Sequence, residues 1–213
     1  LPVEAALTQR WSFNAPAGAV AAGTAFTDSV GGMPATVRGL DASLDGHSLV
    51  LPGATNGNQP PATLSAYLDL PNGILSSRTH VTVELWATPV ASQNFQRLFD
   101  FGSSSAGDGL GEPGEWTGLG LTAPNNVTAS DEFGLTLNVG PNLNAQRLYG
   151  RLNYDQPGGL NLYVDSALPT TLGQRYHYVV TYESGVGAHA GSGGGRASWY
   201  RDGSLVATLD LPY

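Results

Sequence analysis

From His80 the chain alternates. Val81, Val83, Leu85 and Ala87 fall on one side, and His80, Thr82, Glu84 and Trp86 fall on the other, the period-two pattern of a strand with one buried face. Pro89 ends the run, and after a polar connection Arg97, Phe99 and Phe101 alternate with Leu98 and Asp100. The pattern predicts two neighbouring antiparallel strands in the middle of one sheet. Shorter alternating runs predict further strands at 8–14 (Trp11 and Phe13 on one face), 35–38, 48–51 and 64–70. After the central pair, 116–122, 133–139, 147–154, 160–165 and 175–182 read the same way, the last with Tyr176, Tyr178, Val180 and Tyr182 on one face. Asp202-Gly203 between 197–201 and 204–209 is the two-residue turn of a hairpin, where both positions take positive φ. Residues 26–32 and 41–46 read as turns, and 18–23, 54–61, 103–115 and 185–195 as loops. No segment carries an apolar stripe at helical spacing.

Composition agrees with an all-β chain. Only 12% of the 213 residues are charged, about half the usual share, while 29 glycines and 14 prolines supply the backbone angles that many tight turns need. The length suits one sandwich domain spanning 1–213. A net charge of -8 excludes a phosphate-backbone partner, which calls for clustered Lys and Arg. With no cysteine there is no disulfide framework and no thiolate metal or redox site. No run approaches the roughly 18 apolar residues of a membrane span, so no membrane insertion is expected. The start at Leu1 lacks a basic region followed by an apolar core and fits either a cleaved signal or a trimmed end.

Several segments in order carry a family likeness: Trp11-Ser12-Phe13-Asn14, Asp28-Ser29-Val30-Gly31-Gly32, Tyr67-Leu68-Asp69-Leu70-Pro71, Val81 to Trp86, Arg97 to Gly102, His177 to Tyr182, and Tyr200-Arg201-Asp202-Gly203. Together they resemble the laminin G-like, concanavalin A-like jelly rolls of secreted bacterial proteins, over nearly the whole chain. The resemblance implies a two-sheet antiparallel β-sandwich on an extracellular or cell-surface protein. It further implies a non-catalytic adhesion, structural or carbohydrate-binding role, with one structural calcium ion. The family's closing strand has no counterpart before Tyr213. The strand is then cleaved or lies beyond the sequence, is replaced by 1–7, or is supplied by a second subunit to an open sheet edge.

The candidate site residues follow from both readings. By the resemblance, the Asp28–Gly32 turn, Gly32 included, supplies calcium with oxygen ligands completed by an acid elsewhere, for which Asp45 in the next turn is the candidate; the alternative is that Asp28 caps its own turn. Trp116, Tyr154 and Tyr163 lie near loops or strand ends, where an aromatic face can stack on a sugar ring or else belong to the core. Glu84 and Asp100 sit on adjacent predicted strands and could face each other, the arrangement of a glycosidase pair. The Glu-x-Asp-x-Glu strand pattern of sandwich glucanases is absent, and pairing with Arg97 or His177 is the stronger expectation. His47, His80, His177 and His189 show no zinc spacing, and the sequon Asn126-Val127-Thr128 is too short a pattern to carry weight. The expected function is therefore a non-enzymatic module that binds a glycan or another extracellular protein. A self-assembling subunit and a glycoside hydrolase are the alternatives.

Overall fold

A computed structural model describes residues 6–53, 65–75, 78–91, 96–104, 116–119, 129–137, 145–152 and 159–212. Described in chain order, the strands are β1 Gly18–Val20, β2 Ala25–Thr27, β3 Pro34–Arg38, β4 Ala42–Leu44, β5 Leu49–Val50, β6 Tyr67–Asp69, β7 His80–Ala87 and β8 Arg97–Ser104. They continue with β9 Trp116–Leu119, β10 Ala129–Thr136, β11 Gln146–Leu152, β12 Leu160–Ser166, β13 Tyr176–Ser184, β14 Gly195–Arg201 and β15 Ser204–Leu211. A single turn of 3-10 helix, Ala190–Ser192, sits inside the glycine-rich segment before β14.

The chain is an all-β sandwich. Eight strands form a long sheet in the order β12-β11-β10-β8-β9-β6-β3-β2, four form a short sheet in the order β15-β14-β13-β7, and β1-β4-β5 make a small third sheet. Every strand pairing is antiparallel. Ladder register explains the core. Val37, Leu68, Phe99, Leu135, Leu148 and Val164 lie in one row of the long sheet, and residues in one row share a face. Phe99, Leu135 and Leu148 from that row join Tyr178, Val180 and Trp199 of the short sheet in a single buried cluster.

The two runs that the alternation marks as sheet neighbours are not neighbours. β7 pairs with β13 in the short sheet, whereas β8 lies between β10 and β9 in the long one. Period two fixes which residues share a face but not which strand lies alongside, and the β7–β8 connection crosses between layers. Residues 8–14 form no strand. They are tied to the next turn instead: Ser29 N–H donates to the Arg10 carbonyl at 2.9 Å, Trp11 Nε1 donates to the Met33 carbonyl at 3.1 Å, and Phe13 meets Phe26 edge-on at 5.1 Å. Conversely, β1 and β4 occupy positions whose composition reads as loop and turn. The Asp202-Gly203 turn forms as expected, with φ of 52° and 80° joining β14 to β15.

Candidate ligand-binding face

The face of the long sheet turned away from the core is polar, and its register is unusual. Thr36, Asp69, Gly118, Asp100, Gly134, Tyr149 and Tyr163 form one row, two strands at a time, from β3 to β12. Asp100 therefore has a glycine on either side. At Gly134 a side chain is impossible without movement, because an added Cβ would lie 2.6 Å from Tyr149 Cζ and 2.7 Å from the Phe99 carbonyl oxygen. That vacancy lets the Tyr149 ring lie across β10, where its hydroxyl accepts a 2.8 Å hydrogen bond from Arg97 Nε. Arg97 Nε is 2.6 Å from Asp100 Oδ2, with the two side chains 6% and 0% exposed. An ion pair taken this far from water is retained only with close geometry and further hydrogen bonds. Two strands along the row, Arg38 Nε meets Asp69 Oδ2 at 2.9 Å.

Toward β12 the same face opens to solvent. Arg147 donates through Nε and Nη2 to the two oxygens of Asp165 at 2.6 and 2.8 Å, and its guanidinium carbon lies 3.8 Å from the centroid of the Tyr163 ring. The hydrogen bond to Asp165, opposed by desolvation and helped by the charge of Asp165 and by Tyr163, pushes the guanidinium pKa up. Tyr163 remains 48% exposed. Arg151 Nε donates to Asn161 Oδ1 at 3.2 Å in the adjoining cross-strand pair. An aromatic ring, a planar cation and amide and carboxylate oxygens thus share one accessible strip, the mixture of apolar face and directed hydrogen bonds that polar ligands require.

Of the residues singled out by sequence for ligand contact, Tyr163 is on this strip. The backbone of Trp116 is at the start of β9 in register with Gly102, and Tyr154 lies outside the described residues. Glu84 and Asp100 are in different sheets, so they make no pair; the expected alternative partners are the ones found. His177 Nε2 is 2.8 Å from Glu84 Oε1, and Asp100 meets Arg97 as described. The sequence missed two contacts. Trp86, 55% exposed, stacks on His177 with centroids 4.4 Å apart and planes 20° from parallel, although its place among the polar positions of β7 was the available signal. Arg147 and Asp165 lay in separate predicted strands, and nothing in their spacing gave the register that joins them.

Both candidate calcium turns are closed by their own backbone. Asp28 is 2% exposed; its Oδ1 accepts from Arg10 N at 2.6 Å and Val30 N at 2.8 Å, and its Oδ2 from Gly31 N at 2.6 Å. Gly32, at φ 75°, donates its N–H to the Asp28 carbonyl at 3.2 Å. Desolvation resists ionisation of Asp28, but the hydrogen bonds from Arg10, Val30, Gly31 and Met33 outweigh it and hold the carboxyl below its ordinary value. Asp45 accepts from the Ser48 hydroxyl and from His47 N and Ser48 N, which bring its carboxyl down to about 2. Each carboxylate thus caps its own turn, accepting three hydrogen bonds. Among the described residues no group of three or more His, Asp or Glu is placed to hold a metal, and no helix is long and apolar enough to cross a membrane.

No family model, curated protein or solved structure matches the chain.

Proposed function

We propose that the chain is a non-catalytic, extracellular carbohydrate-binding module of the laminin G-like, concanavalin A-like jelly-roll kind, and that it holds a glycan on the β11–β12 strip of the long sheet. The observation that carries this reading is the half-exposed Tyr163 ring, fixed by Arg147 at 3.8 Å, with Arg147, Asp165, Arg151 and Asn161 around it. A pyranose offers an apolar C–H face to such a ring and hydroxyls to its polar neighbours. The ring is already held in place, so binding costs little side-chain ordering. Among the described residues of this face, Asp100 is paired with Arg97 and Asp165 with Arg147.

A glycan array followed by calorimetry on the hits tests this. Tyr163→Ala should weaken binding of any hit by at least about tenfold, or about 1.4 kcal/mol, with an unchanged melting temperature. Hits that bind the variant equally well would move the site elsewhere, and an array without hits would leave adhesion to protein as the remaining reading. Calcium is checked separately. An ion that binds only the folded state must raise the melting temperature; equal values in chelator and in millimolar calcium would leave Asp28, Gly32 and Asp45 with the capping role alone.

A further inference from the structure

Among the described residues, β7 is a long strand edge with little of the usual protection. Among the described residues β7 pairs only with β13. Exposed edge strands are normally blunted by shortness, charged side chains and lysine above all, proline, a bulge or a covering element; of these β7 carries the acid Glu84. At the other ends of the two sheets, β2 has three residues, β14–β15 contains a register shift between Trp199 and Tyr200, and β12 and β15 lie against each other. β7 has eight residues, none of them Lys or Pro, and its ladder to β13 runs without a shift from Ala87 to His80. Its core-facing residues Val81, Val83, Leu85 and Ala87 are only partly buried, while Tyr178 and Val180 beside them on β13 are 0% and 1% exposed. Outside, Trp86 stands with one face on His177.

We infer that β7 is a self-association edge, pairing antiparallel with β7 of a second copy about a two-fold axis through Val83. Such an axis, normal to the sheet, keeps both apolar faces on the core side, so an opposed pair must share a side of the strand. Two registers then pair seven residues of each strand. One centres on Glu84 and sets Glu84 directly against its own copy, which is destabilising. The other centres on Val83: Leu85 meets Val81 of the second copy, Glu84 meets Thr82, and Trp86 meets His80. The last pair repeats on the outer side the Trp86–His177 stack already present on the inner side. The same segment is thus complementary to itself in one register only, with three apolar pairs, no like charges opposed and an imidazole on each face of the indole. The result is a continuous eight-stranded outer sheet with the two-fold symmetry common to homodimers.

The absence of cysteine makes the test direct. Thr82→Cys and Glu84→Cys chains, mixed and oxidised, should form a disulfide heterodimer, and neither alone should cross-link efficiently. Light scattering of the unmodified chain should show a dimer that dissociates on dilution. Thr82→Glu, which sets two acids opposite each other, should weaken the dimer at least tenfold, and Thr82→Lys, facing Glu84 of the second copy, should tighten it. Both sites are exposed on the strand, so circular dichroism should show both variants folded. Self-cross-linking of Thr82→Cys or of Glu84→Cys would overturn the register. A monomer at all concentrations, with β7 amides protected from hydrogen exchange, would overturn the inference by showing that the chain covers this edge itself.

Discussion

The outer faces of the two sheets carry the same kinds of ion pair in opposite settings. On the long sheet, Arg97 and Asp100 are 6% and 0% exposed. On the short sheet, Arg196 and Asp210 hold each other in an equally short bidentate pair, 2.7 and 3.1 Å, at 43% and 24% side-chain exposure. His80–Glu183 at 3.8 Å is more exposed still. Distance alone would rank the two arginine–aspartate pairs as near equals. Burial separates them, because a surface pair trades one set of solvated hydrogen bonds for another, whereas a buried pair that loses one member leaves the other as an uncompensated charge.

That contrast gives a graded set of outcomes. The largest belongs to Asp100→Ala, which strips Arg97 of its carboxylate and should cost about 3–5 kcal/mol in denaturant unfolding; a loss under about 1 kcal/mol would show that water reaches the pair. Next is Gly134→Ala, which forces a methyl between Tyr149 and the β8 backbone. It should cost about 1–3 kcal/mol by overpacking and alter the near-ultraviolet signal of the tyrosines. The smallest is Asp210→Asn, best read as a pH profile. The hydrogen bonds from Arg196 and from Ala188 N hold the Asp210 carboxyl down to about 2, below the unfolded value of about 3.9. Its contribution is thus complete above about pH 4 and disappears as pH falls toward 2. The unmodified chain should lose melting temperature across that window, and the variant should lose less. Asp45 titrates in the same window, so part of the fall remains.

Strands were the most legible part of the sequence. The runs ending in β7, β13 and the β14–β15 hairpin have strict alternation and a turn whose backbone angles the residue types dictate, so local chemistry suffices. What local pattern cannot encode is partnership between distant strands, and the placing of β7 and β8 in different layers is the clearest case. The alternating run at 64–70 carries β6, yet Tyr67 and Leu68 are both buried, at 1% and 0% exposed, so alternation located the strand without showing that both of its sides are covered. The candidate strip was half legible: Tyr163 stood out as an aromatic near a strand end, but its support by Arg147 depends on a cross-strand register. The glycines beside Asp100 take on meaning only once β9, β8 and β10 are aligned.

The pairing of β7 with β13 also sets an order of events. Glu84 and His177 are 93 positions apart, and the apolar row of the long sheet runs from Val37 to Val164. The long sheet cannot close until β12 has been made, nor the short sheet until β13 has, and contacts of such separation make folding slow. Throughout that interval β7 has both of its edges unpaired.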